Sequence, residues 1–213
     1  MRATPSQQKK VPKRSRAEKK APAKHSVALD LARRPHDAWR RCQDLAQVAW
    51  QTEDPGEVKK IIGESLEAAY ALKEPNRIVS VAAWPVRVMV VKGDRRLGTM
   101  VHELLEKIQT EPNPVRRAHA LLLLFEAVYS KPELRESVLG PLLRACEDMN
   151  SWRRPIILSD VALIFAQDDP ARAAQIVDVI GEGRKSRQTR RSIAEGRWLG
   201  PHEFFPYYAK PAL

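Results

Sequence analysis

The chain has 213 residues, 43% of them hydrophobic, and a formal net charge of +11, which is enough apolar content for a buried core. Its longest apolar stretch, Ala120 to Phe125, falls far short of the ~18 residues a spanning helix needs, and no apolar segment follows the basic N-terminus. These features argue against a membrane span and a secretory signal. Cys42 and Cys146 stand in no metal-like spacing and read as small buried residues of a reducing compartment, so a cytoplasmic location is expected.

The charge is segregated. Residues 1–26 carry nine Lys and Arg against Glu18 alone, residues 27–181 are balanced to within one charge, and residues 182–213 carry seven basic against three acidic side chains. The first segment has few large apolar residues and three prolines, too little to offset ordering entropy, and is expected to be a disordered basic arm. Such an arm suits phosphate neutralisation. Its Lys9-Lys10, Lys13-Arg14 and Lys19-Lys20 also resemble a nuclear-import signal, and the plain alternative is a solubilising tail.

From there the sequence predicts helices in pairs over residues 27–199. Asp37 caps a helix carrying Cys42, Leu45, Ala46 and Ala49, which stops at Asp54-Pro55; Val58, Ile61, Ile62, Leu66, Ala69 and Tyr70 line its partner. Ile78 to Val91 is rich in β-branched residues, and Val86 to Val91 alone reads as a strand. Its place in the pattern predicts a helix instead, kinked at Pro85. Asn113-Pro114 opens a helix with Ala118, Leu121, Leu122, Phe125 and Val128 on one face, and Lys131-Pro132 breaks it. Leu134, Val138, Leu142 and Cys146 line the next helix, to about Asp148. Asn150 and Ser151 open another, apolar almost all round at Val161 to Phe165; Asp169 caps and Pro170 starts its partner, which carries Ala173, Ile176, Val177 and Ile180. A last helix is expected from about Gln188 to Trp198. Residues 200–213, with Pro201, Pro206 and Pro211 and the aromatics Phe204, Phe205, Tyr207 and Tyr208, read as an extended segment folding back as a cap or serving as a docking peptide.

A period runs through this order. Asn76, Asn113 and Asn150 stand 37 residues apart, as do Arg116-Arg117, Arg153-Arg154 and Arg190-Arg191. Pro55, Asp94, Pro132 and Pro170 interleave at 38 or 39. Together with Asn113-Pro114-Val115-Arg116-Arg117-Ala118 and Asp169-Pro170-Ala171-Arg172-Ala173-Ala174, this resembles the HEAT- and tetratricopeptide-like α-solenoids over about residues 35–199. The resemblance implies an all-α, right-handed solenoid of about four antiparallel hairpins plus a truncated last repeat. It also implies a scaffold for protein, peptide or nucleic acid, among which a fold does not choose. The step is longer than the tetratricopeptide repeat, and that family's Trp, Leu-Gly and Tyr signature is not present in order.

Arginine pairs are the main site candidates: Arg40-Arg41 after Trp39, Arg116-Arg117, Arg153-Arg154 after Trp152, and Arg190-Arg191. Each is expected in the first turn of its helix, where cations oppose the helix dipole. Glu111, Glu147 and Asp148 are candidate partners in a structural role; a guanidinium ladder gripping phosphates or an acidic peptide is the functional one. Arg184, Lys185 and Arg187 add a basic run, expected at the turn between the last two helices, and Trp39 and Trp152 are the tryptophans placed to stack on bases. No metal-like histidine spacing, phosphate loop or nucleophile motif stands out, so no cofactor and no catalytic residue are expected. The leading expectation is a non-enzymatic scaffold for a protein or peptide with an electrostatic tail. The alternative is a nucleic-acid-associated protein using the arm and the arginines. A third reading, a HEAT-like DNA-repair glycosylase, would need an acidic and an aromatic residue facing a basic concave groove.

Overall fold

A computed structural model describes residues 24–206, and these form ten helices with no strand among them. In chain order they are α1 (Lys24–Arg33), α2 (Ala38–Gln51), α3 (Pro55–Tyr70), α4 (Pro75–Lys92), α5 (Leu97–Gln109), α6 (Pro114–Val128), α7 (Pro132–Glu147), α8 (Arg154–Phe165), α9 (Pro170–Ile180) and α10 (Arg184–Ala194). None is long and apolar enough to cross a membrane. Residues 1–23 of the expected arm and 207–213 of the expected C-terminal segment lie outside the described residues.

Short-range chemistry sets most of the starts. The Asp37 carboxylate accepts from the backbone of Trp39 and Arg40, Asn113 Oδ1 from Val115 and Arg116, Asp54 from Glu57, and Asp169 from Arg172. Proline opens α3, α4, α6, α7 and α9, where its missing N–H costs nothing. The asparagine period does not track the caps. Asn76 lies inside α4 behind Glu74 and Pro75, Asn150 precedes α8, and of the three only Asn113 caps. The helices that follow these markers start at 75, 114 and 154, so the repeat is looser than its markers. Three boundaries differ from expectation, one being that the last helix ends at Ala194 rather than Trp198. Residues 24–26, read as arm, belong to α1, and α10 begins at Arg184 rather than near Gln188.

Every helix packs against the next in sequence. The even-numbered helices α2, α4, α6, α8 and α10 also touch one another in an unbroken row, whereas of the odd-numbered ones only α5 and α7 meet. Helix α4 lies at the centre of this arrangement, against α2, α3, α5 and α6, which is why its β-branched run is helical: Val79, Val81, Val86 and Val88 are wholly buried. Tertiary packing overrides the strand preference of Val86–Val91.

Proline 85 leaves a gap in the α4 ladder, because it has no N–H to give the Val81 carbonyl. The Cys42 thiol of α2 faces that carbonyl at 3.6 Å, and Ser65 of α3 donates to the Cys42 carbonyl at 2.7 Å. Three helices are thereby joined by polar contacts in an apolar core. Burial pushes the Cys42 thiol up to about 12 and that of Cys146 to about 11. Neither cysteine should therefore react with an alkylating reagent at pH 8 until the protein unfolds; mass spectrometry of native and urea-treated protein checks this.

Cations of one helix satisfy end carbonyls of another, as helix C-termini require. Lys92 donates to Thr52 at 2.7 Å, Arg87 to Ala127 at 3.5 Å and Arg154 to Val179 at 3.1 Å.

Candidate functional site

The even helices α2, α4, α6 and α8 share contacts with residues 199–206. The α2 and α4 portion of this face is aromatic. Gln43, with its amide oxygen turned inward, accepts from Trp84 Nε1 at 3.0 Å and Trp39 Nε1 at 3.2 Å. The Arg77 guanidinium lies 5.9 Å from the Trp39 ring. Further along come Glu126 and His119 of α6, then Asp160 of α8 and Lys185 of α10.

Residues 199–206 lie across this face as an extended strap. Leu199 N–H donates to the Leu163 carbonyl of α8 at 3.2 Å. The main chain of His202 faces the Glu126 carboxylate of α6 and partly offsets the effect of its burial. The rings of His202, Phe204 and Phe205 meet Trp84 of α4 edge-on, at 6.0, 5.4 and 5.4 Å between centroids. Phe205 also stacks on Trp50 of α2 at 4.6 Å. The strap thus visits α8, α6, α4 and α2 in the reverse of chain order. Phe204 and Phe205 are 3% and 5% exposed, which makes them the strap's buried anchors.

Under the strap the electrostatics are unusual. Burial, and secondarily Asp160, pushes the Glu126 carboxyl up to about 7. Asp160 is also raised by burial, although Lys185 and His119 oppose the shift. Burial and the Arg153 charge lower His119, and burial lowers His202. Glu126 ionises near 4.5 in the unfolded chain but only near 7 in the fold. Between those values the folded form keeps a proton that the unfolded form has released, so this residue subtracts stability as pH rises from 4.5 to about 7. Glu126→Gln retains an acceptor for His202 without the charge. The variant should exceed the parent in stability by about 2–3 kcal/mol at pH 8 and match it near pH 4, as read from urea unfolding at both values.

The arginine pairs do not act as one set. Arg117 meets Asp148 at 2.6 Å and donates to the Glu111 carbonyl at 3.4 Å, and Arg154 caps α9 through Val179 while its Nε is buried without a partner. Asp148, expected to pair with the helix after it, pairs with α6 instead. Arg190 and Arg191 are not in a first turn: they lie in the second half of α10, where the dipole favours them, and pair with Asp178 and Glu195. Arg40 is exposed with Asp44 at 3.7 Å, Arg41 is half-buried, and Arg116 is exposed with no acidic partner among the described residues. Arg153 lies 5.4 Å over the ring of Trp152, which is 71% exposed, whereas Trp39 is half-buried. Arg184, Lys185 and Arg187 stand in the first turn of α10, not in a turn between helices.

Sequence reasoning missed Glu126, Asp160 and Trp84 as a group. The only signal for Glu126 was a lone acid seven residues after His119 in an apolar helix. Among known proteins the chain matches no protein-family model, no curated protein and no solved structure.

Proposed function

We propose that this chain is a helical-repeat scaffold that receives an extended, aromatic peptide across the even-helix face. In this reading α2–α9 are four antiparallel hairpins of a right-handed solenoid, α10 is its truncated last repeat, and the even row is its concave side. The observation that supports it is the strap. Eight residues of this chain already lie in extended form over four helices, held by the Leu199 main-chain hydrogen bond and by Phe204 and Phe205 against Trp50 and Trp84. Main-chain bonds supply affinity without sequence selectivity, and the tryptophans select adjacent aromatic residues. A partner would carry a similar aromatic pair and displace the strap. Glu126 and Trp84, an acid and an aromatic of the kind a glycosylase would need, meet the strap itself, which favours a peptide.

The test uses the full chain bearing Phe204→Ala and Phe205→Ala, with a labelled peptide of residues 199–206. Anisotropy should show saturable binding that Trp50→Ala weakens at least tenfold. A folded double variant that does not bind the peptide would refute the proposal.

A further inference from the structure

We propose that the end of the array formed by the starts of α8 and α10 binds single-stranded nucleic acid, with Trp152 stacking on a base and Arg153, Arg184 and Arg187 holding phosphates. This surface is separate from the strap and does not rest on the peptide reading.

Geometry brings these residues to one end. Helices α8 and α10 lie side by side and, with α9 between them in the chain, run in the same direction. Thr189 donates to the Lys185 carbonyl, so the Ser159 hydroxyl gives the 2.8 Å bond to Thr189 Oγ1. Ser159 and Thr189 are each five residues past the first residue of their helix, which sets the starts of α8 and α10 level. Trp152 and Arg153 immediately precede α8; Arg184 is the first residue of α10, and Arg187 lies three residues on, over the same side.

The charges here also differ from those that pair across or along the helices. Arg117, Arg172, Arg190 and Arg191 each meet a carboxylate. Arg153, Arg184 and Arg187 are exposed, and none has a carboxylate within 4 Å among the described residues. Cations in the first turn of a helix work against its dipole, so packing alone does not favour them there. Trp152 is the most exposed large apolar side chain among the described residues. Arg153 covers one face of its ring and leaves the other open.

An aromatic ring flanked by unpaired guanidiniums fits a ligand with a π-face and phosphates together. An acidic peptide offers the charge but nothing for the ring. In a duplex the bases are stacked away from it, which selects a single strand.

The experiment measures anisotropy of a labelled oligothymidylate with the full chain across a salt series, with circular dichroism of each variant as the folding control. Trp152→Ala should weaken binding by about tenfold and leave the salt slope unchanged. Arg184→Ala with Arg187→Ala should reduce the slope of log affinity on log salt by about 1.4. Poly-glutamate should compete poorly, and a duplex of equal length should bind more weakly. Binding unchanged by these variants and abolished by deleting residues 1–23 would overturn the proposal, leaving the arm as the contact. So would no binding at all, or equal competition by poly-glutamate.

Discussion

Replacing Phe204 and Phe205 together by alanine is expected to undock residues 199–206 while the helices stay folded. Each ring is almost wholly buried, and burying a phenylalanine contributes about 1.5–3 kcal/mol, so the pair supplies about 3–6 kcal/mol of anchoring. What remains without the two rings, a hydrogen bond at Leu199 and the approach of His202 to Trp84 and Glu126, is weaker than this pair. Undocking would bare Trp50 and Trp84 to water. Tryptophan emission should move to longer wavelength, and the amides of Leu199 and His202 should lose protection from hydrogen exchange while those of α4 and α6 keep theirs. Persistent protection at Leu199 and His202 would show that the two rings are not the anchors.

Phe165→Ala should cause the larger loss of global stability, about 3–5 kcal/mol. Phe165 is fully buried at the end of α8, with its ring centroid 5.6 Å from Phe125 and 5.7 Å from Tyr129. The Arg135 guanidinium from α7 lies 4.9 Å over Phe165 and 5.2 Å over Tyr129, a cation sheltered by two rings. Tyr129 in turn donates to the Ile164 carbonyl at 3.0 Å, and burial first, then Asp168, pushes its hydroxyl up to about 12. Removing the Phe165 ring therefore opens a cavity and also unseats a cation and a phenol. For a chain of this size the loss corresponds to a fall of about 6–20 °C in melting temperature. Phe165→Leu keeps most of the volume and should cost less than half as much by calorimetry.

The helical architecture was largely legible because its signals are local. Asp37, Asn113 and Asp169 cap through side chains a few positions from the groups they satisfy, and the opening prolines need no partner at all. The strand-like Val86–Val91 was resolved by its place between two neighbours. What escaped depended on distant residues. Among the described side chains of helix α1 only Leu29 and Ala32 are buried, too little for a periodic signal. The start of α10 is made of cations that a helix N-terminus disfavours, and its interior contact is the polar pair Ser159 and Thr189, which carries no hydrophobic pattern. The division of labour among the arginines was hidden for the same reason: Arg117 and Arg154 find their partners 31 and 25 positions away. The meeting of Glu126 with His202 required the strap itself.

The strap also has a consequence for how the protein is made. Phe205 rests on Trp50, 155 positions earlier in the chain. Every helix it crosses leaves the ribosome before it does, and helical pairs of low sequence separation form fast. A growing chain therefore passes through a stage with its helices assembled and an oily aromatic strip bare, closed only when residues 199–206 arrive. Whatever first meets that strip during translation competes with residues 199–206 for the same seat.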